Sequence, residues 1–389
     1  RYIWTDSVWN RPDKFGCLCG ISERDGCCLL NFFSTQPALN YGFSKITAPW
    51  QMSYMHPDCI ATREALKDVM RFWLDMGCDG FRVDMAASLV KNDDDKSATA
   101  SIWRNIRNML DQEYPNAAMV SEWSDPEKAI CKSHFDMDFY LDNPDNGYHA
   151  LFRNTASDGS QRSFFSKQGR GDIIKFLDDY LQKYNSSKDK GYISFITCNH
   201  DTPRMTKAFD ELECKIAYAF ILTMPGVPFI YYGDEIGMQY YDLVSVEGGY
   251  QRTGSRTPMQ WTRGKNDGFS DASPDKLYLP IDKRSDSPAV DVEEKNENSL
   301  LNTVKKLTAL RHENKDLQAE ANFEVVYAEK EKYPFVYRRG SFIIAVNPSW
   351  RQVSIPISLC GKPVFSLGKS TLRDGMLCMN GQSFGIFKM

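Results

Sequence analysis

The chain has 389 residues, more than one average domain of roughly 150 and enough to bury a large core. Its 42% apolar and 13% aromatic content excludes a disordered or fibrous protein, and 47 Lys and Arg against 51 Asp and Glu, a net charge of −4, argue against nucleic acid or an anionic membrane as partner. No run approaches roughly 18 apolar residues, so no segment reads as a membrane span.

Residue 1 is Arg, and no charged-then-apolar targeting segment follows it. Eleven cysteines, an odd number in a chain too large to need disulfide staples, point to reduced thiols and a cytoplasmic setting. Four of them cluster as Cys17, Cys19, Cys27 and Cys28. Their C-x-C and C-C spacings miss the C-x2-C knuckle of zinc sites and no His lies close by, so buried thiols are the favoured reading over zinc.

From residue 61 helical and strand patterns alternate. Leu66, Val69, Met70 and Trp73 fall on one helical face, and Gly77 marks its end. Gly80 to Met85 reads as a buried strand. Ile102, Ile106, Met109 and Leu110 form a second helical face that Pro115 closes, and Ala117 to Trp123 is again strand-like. Asp172 has the chemistry of an N-cap for a helix carrying Ile173, Leu177, Tyr180 and Leu181. A strand over Tyr192–Cys198, an apolar helix over about 211–223 and a strand over Val227–Tyr232 follow. Near-continuous apolar strands separated by helices predict a parallel sheet covered on both faces, as a barrel or as a doubly wound sheet. Residues 282–299 hold nine charges in eighteen positions and read as a solvated loop. A helix with Leu300, Val304, Leu307 and Leu310 comes next, and short alternating stretches after about residue 321 predict a small antiparallel β domain.

Three of the strand patterns end in acid: Asp84 closes Gly-Phe-Arg-Val-Asp, Glu122 closes Ala-Met-Val-Ser-Glu, and Asp201 closes Ile-Thr-Cys-Asn-His-Asp. In parallel α/β folds the C-terminal strand ends face the ligand, so the three acids are expected on one rim. The competing reading is that each caps the helix that follows. Cleavage of a glycosidic bond needs such an inventory: one carboxylate to attack the anomeric carbon and a second, kept protonated, to protonate the leaving oxygen. Arg82, two residues before Asp84 on the same side of the strand, would hold the nucleophile ionised. Glu122 follows an apolar strand beside Trp123, a setting that raises a carboxyl pKa. Asp201 with His200 would grip sugar hydroxyls and stabilise positive charge at the anomeric carbon. No G-x-G-x-x-G follows a predicted strand, which disfavours a nucleotide-binding α/β protein.

The segments Gly80-Phe81-Arg82-Val83-Asp84, Val120-Ser121-Glu122-Trp123 and Asn199-His200-Asp201 resemble, in order, three signature regions of the α-amylase family, glycoside hydrolase family 13. Gly226 to Glu235 resembles that family's last barrel strand. Gln36-Pro37-Ala38-Leu39-Asn40 and Arg256-Thr257-Pro258-Met259-Gln260-Trp261 are similar to segments of its oligo-1,6-glucosidase and trehalose synthase members. The resemblance implies a (β/α)8 TIM-barrel glycosidase that retains α configuration through a covalent glycosyl intermediate. It assigns Asp84 as nucleophile, Glu122 as acid/base and Asp201 as transition-state stabiliser, with Arg82, His200, Trp123 and Arg256 contacting substrate. Arg256 is equally read as a loop-bracing arginine, and Tyr231 and Tyr232 as core rings rather than sugar platforms.

If Asp84 ends barrel strand four, strands 4–8 are present and the first three are not, and the family's Asp-Asn-His region is missing before Gln36. We therefore expect an N-terminally truncated barrel: residues 1–60 a remnant of the inserted B domain, 61–320 the C-terminal part of the barrel and 321–389 a C-terminal antiparallel β domain. The resemblance requires no cofactor for the chemistry; it allows a structural Ca2+, whose ligands would lie in the missing part, and leaves metal binding by this sequence unknown. Met85, after the nucleophile, matches neither the Val of α-1,6-cutting relatives nor the small residue of α-1,4-cutting ones. The expected activity is hydrolysis of α-glucosidic bonds in starch-like glucans or maltooligosaccharides. The alternatives are an α-glucan transglycosylase or isomerase of the trehalose synthase kind, and an inactive carbohydrate-binding fragment.

Overall fold

The computed structural model describes residues 1–20, 22–144, 146–244 and 253–389. The chain divides into two compact units, Arg1–Phe139 with Asp189–Gly191, and Tyr140–Lys188 with Tyr192–Met389.

The first unit opens with an antiparallel hairpin of β1 (Cys17–Cys19) and β2 (Cys27–Leu29), in which Cys19 lies opposite Cys27. These two cysteines form a disulfide, which corrects the expectation of reduced thiols for this pair. Strand register, not sequence spacing, makes them neighbours. The other nine cysteines are free thiols.

Helix α1 (Pro57–Asp75) starts at His56, whose ring accepts from the Asp58 N–H, with Pro57 in the first turn, where its missing N–H costs nothing. Its buried positions include Cys59, Met70 and Leu74. Val69 and Trp73, expected on the same face as Met70, are instead 53% and 48% exposed. Each sits one residue before a buried position, about 100° round the helix.

Strand β3 (Gly80–Val83), helix α2 (Ser97–Glu113), strand β4 (Ala118–Ser121) and strand β5 (Met137–Phe139) follow. The strands are parallel, paired Gly80 with Ala118 through Val83 with Ser121, and then Ser121 with Asp138. Gly80 is required where it stands: its φ is 155°, and a Cβ there would lie 2.0 Å from the Ala118 carbonyl oxygen. Against this sheet α2 buries Ile102, Ile106, Met109 and Leu110 together with Met119 and Phe135, as the helical pattern predicts. Strand β5 has no counterpart among the predicted elements, because three residues, Met-Asp-Phe, are too short to show a period.

In the second unit, α3 (Gly147–Phe152) precedes α4 (Ile173–Ser187), which Asp172 caps as predicted by accepting from the Ile174 N–H. Strand β6 (Tyr192–Ser194) is shorter than expected, and the predicted strand over Val227–Tyr232 is reduced to one parallel bridge between Ile196 and Phe229. Helix α5 (Glu211–Thr223) carries a capping box between Asp210 and Glu213 and is buried almost all round. Within the expected loop 282–299 lies one four-residue helix, α6 (Val290–Glu293). Helix α7 (Leu300–Glu313) is capped by Ser299 and packs on α5, and its Arg311 guanidinium donates to the carbonyls of Leu222 in the last turn of α5 and of Met224 and Gly226 just past it.

Strands β7 (Glu324–Tyr327), β8 (Phe335–Arg339), β9 (Phe342–Asn347), β10 (Val353–Pro356), β11 (Lys362–Leu367), β12 (Ser370–Arg373), β13 (Met376–Met379) and β14 (Ser383–Lys388) form two antiparallel sheets, ordered β11-β14-β9-β8-β7 and β10-β13-β12. Val336, Ile343, Ala345 and Phe387 of one meet Ile355, Leu372, Leu377 and Met379 of the other in a shared hydrophobic core. The expected antiparallel β domain is present. Among the described residues no helix is long and apolar enough to cross a membrane.

Ile106 is fully buried against the β3–β5 sheet. Ile106→Ala should therefore destabilise the fold by about 2–5 kcal/mol, read as a lower urea midpoint at unchanged slope.

Candidate active site

In the first unit, β3 and β4 end side by side, so the residues just beyond them, Asp84 and Glu122, emerge at the same sheet edge. Arg82, the third residue of β3, reaches both. Its Nη1 donates to Asp84 Oδ1 at 2.5 Å and its Nη2 to Glu122 Oε1 at 2.8 Å. The Met85 N–H donates to Glu122 Oε2 at 3.2 Å, from a backbone held in the left-handed region with φ 43°. Asp84 is 66% exposed and Glu122 17%. Burial raises the Glu122 pKa above its ordinary value, against the opposing pull of the Met85 N–H and Arg82. The neighbouring Asp84 carboxyl adds to that rise. Glu122 is the more buried of the two acids. Trp123 is half-buried, packed against the α2 core.

Neither Asp84 nor Glu122 caps a helix: the short helical turn after Asp84 starts at Met85 with no side-chain cap, and the turn after Glu122 starts at Pro126. Sequence reasoning missed Asp138 of β5, which lies beneath this edge. It is fully buried, and its Oδ1 accepts from the Ser121 hydroxyl at 2.7 Å and from the N–H groups of Trp123 and Ser124, both at 3.2 Å. Burial pushes its pKa up to about 7 although these donors favour the anion.

In the second unit, the turn Asn199-His200-Asp201 is shaped by Asn199, whose side-chain oxygen accepts from the Asp201 N–H at 2.8 Å. Asp201 is held by Arg256 Nη2 at 2.7 Å and lies 3.4 Å from His200 Nε2, while Arg256 Nε donates to the His200 carbonyl. Arg256 thus braces the loop and pairs with the acid at once. Beside it a cavity of about 500 Å³ is lined by Tyr232, Glu235, Met259, Trp261 and Phe269. Behind the turn, Arg204 and Asp234 form a buried ion pair at 2.7 Å; Arg204 also donates to the carbonyls of Tyr232 and Ser255, and the Thr197 hydroxyl donates to Asp234. Both Tyr231 and Tyr232 pack against the Arg204 guanidinium and are part-exposed rather than core. Asp234 stands in the recognised Gly-Asp-Glu segment; Arg204, three residues past Asp201, is the partner that the pattern did not reveal.

Among the described residues the group of three or more side chains close enough to hold a metal ion is Cys17, Cys19 and Cys27, with ligand atoms within 4.8 Å of one another. Two of these are disulfide-bonded, and sulfur ligands do not fit Ca2+, which takes oxygen.

Residues 41–320 match the α-amylase catalytic-domain family, and the chain belongs to it. Among curated relatives it is 28% identical to the trehalose synthase/amylase TreS of Mycolicibacterium smegmatis, over 80% of this chain and 56% of that protein. It is 27% identical to the probable oligo-1,6-glucosidase 2 of Bacillus subtilis, over 94% of this chain and 72% of that protein. The chain thus spans about half the length of the first relatives it matches. Among solved structures it superposes on an isomaltulose synthase of Erwinia rhapontici NX5 with a TM-score of 0.73 at 20% identity, covering all of this chain and 77% of that one. An α-amylase from H. orenii gives 0.69 at 20% identity, over 100% and 73%. The fold is that of the α-amylases, a TIM-barrel domain with a C-terminal antiparallel β domain.

Arg204→Met would leave Asp234 buried and uncompensated. We expect a loss of about 3–5 kcal/mol, measured by urea unfolding, and a partial recovery when Asp234→Asn is added.

Proposed function

We propose that the chain is a retaining α-glycosidase acting on α-glucosidic bonds of starch-like glucans or maltooligosaccharides. The observation that carries this reading is one guanidinium, Arg82, bonded to two acids in different environments, exposed Asp84 and half-buried Glu122. Asp84, held as an anion beside Arg82, attacks the anomeric carbon while Glu122 gives its proton to the leaving oxygen, and the glycosidic bond breaks as the Asp84 ester forms. Glu122, now a carboxylate, takes a proton from water, which displaces Asp84 and restores the first state with α configuration kept. Asp201 is assigned the transition-state role and His200, Arg256 and Trp123 contacts to sugar, as the family resemblance implies. Nine free thiols support a cytoplasmic setting, with the Cys19–Cys27 disulfide as the exception.

A second reading has a specific motive. The first relative named is a trehalose synthase/amylase, and sucrose-isomerising enzymes are among the matching structures. In that reading the glycosyl–Asp84 ester passes to a sugar hydroxyl instead of water. The ratio of transfer products to free glucose on maltose separates the two.

Asp84→Asn should lower turnover of maltooligosaccharides by at least about 10³-fold, with binding of the oligosaccharide retained by calorimetry. Hydrolysis at a near-normal rate would remove Asp84 from the nucleophile's role. The pH dependence has a definite sign. Glu122 must be protonated to act and its pKa is raised, so activity should persist above the ordinary carboxyl value of 4.5 and fall as pH rises through the raised one. On an activated aryl α-glucoside, whose cleavage needs no acid, that alkaline limb should disappear from the kcat/KM profile of Glu122→Gln.

A further inference from the structure

Strand β4 ends at Ser121, and the chain turns at once through Glu122, Trp123 and Ser124. Ser124 sits in the left-handed region with φ 61°, a conformation that disfavours any side chain and persists only where something holds it. One oxygen helps to hold it. Asp138 Oδ1 receives the Ser121 hydroxyl and the N–H groups of Trp123 and Ser124, which bracket Glu122 on both sides. The in-register pairing of Ser121 with Asp138 makes this reach possible, since the β5 side chain then lies directly beside the end of β4. Asp138 Oδ2 is buried with no hydrogen-bond partner, so the carboxyl carries a desolvation cost that the three Oδ1 contacts must offset. At the far side of the same loop, the Asp125 carboxylate accepts from the Lys128 N–H and ties down the start of the next helical turn.

We propose that Asp138 is the positioning residue of the acid/base: by tethering the Trp123–Ser124 turn to β5 it fixes the direction in which Glu122 presents its proton. The proposal rests on the glycosidase reading of Glu122. Asp138 itself touches no substrate, being fully buried, and acts through the backbone that carries Glu122. Loss of the tether should therefore damage the proton transfers that Glu122 makes, first to the leaving oxygen and later from water, and spare the attack of Asp84 itself.

Two substrates with the same glycone separate those steps: maltose, whose leaving oxygen needs the proton, and α-glucosyl fluoride, which leaves without it. In Asp138→Ala we expect kcat/KM on maltose to fall about 30-fold or more, and kcat/KM on the fluoride, which reports only the steps up to formation of the Asp84 ester, to change by less than about threefold. Asp138→Asn keeps an acceptor oxygen but a neutral, weaker one, and should show a smaller loss of about 3–10-fold, again confined to maltose. Hydrogen exchange followed by mass spectrometry should show faster exchange of the Trp123 and Ser124 amides in the alanine variant and near-normal protection in the asparagine variant. Equal losses on both substrates, or no loss on maltose, would overturn the proposal. So would unchanged protection of those amides. If the alanine variant does not fold, the asparagine variant carries the same comparison. A wild-type chain that cleaves neither substrate would instead overturn the glycosidase reading on which the role rests, while the exchange data alone would still decide whether the tether exists.

Discussion

Parallel pairing of β3, β4 and β5 is the constraint from which the first half of the candidate site follows. Parallel strands in register end together, so the residue after each strand emerges at a common edge. Asp84 and Glu122 are those residues, and Asp138 stands in β5 level with the end of β4. The pairing tolerates no displacement at its start, where Gly80 passes so close to the Ala118 carbonyl that only a residue without a side chain fits. Core packing of α2 on the sheet fixes the strands from behind. The register that buries Met119 and Val120 is thus also the register that presents the acids.

Charge then divides the two acids. One guanidinium touches both, so proximity to Arg82 cannot by itself make them different. Burial does: Asp84 stays largely in solvent and Glu122 does not, and the cost of desolvating a charge falls on the second alone. The neighbouring Asp84 carboxyl adds to the effect, because two like charges at close range disfavour a second anion. In the second unit the same economy of arginines recurs. Arg256 holds Asp201, and Arg204 with Asp234 forms the buried pair behind the turn that carries it. Such a pair stabilises little on its own terms, yet its four polar contacts from one guanidinium and its partner leave the loop few alternative arrangements.

The elements that the sequence announced are those whose own residues set them. Helices α2 and α4 have strong apolar periods, α5 is a near-continuous apolar run, Asp172 is a recognisable cap for α4, and each helix formed within the stretch expected. The antiparallel β domain was equally legible, since alternation over several short strands is a local signal. The failures share a cause as well. β5 is too short to show a period; the face of α1 depends on which side the neighbours cover; and the Cys19–Cys27 disulfide depends on a register no spacing encodes.

For the site the same line divides what was legible from what was not. Asp84, Glu122, Asp201 and Arg82 could be named from the sequence because the chemistry of bond cleavage demands those residue types at strand ends, and because their segments resemble a family's signatures. Asp138, Arg204 and the particular partners of Arg256 could not. Their contributions are contacts with backbone and carboxylates that lie 14 to 56 positions away in the chain. The sequence by itself determined which acids stand at strand ends and which helices and strands carry them. Tertiary structure decided which acid is buried and which turn is tethered, because solvent exclusion and hydrogen bonding are properties of what surrounds a residue, and those surroundings are assembled only when the strands pair.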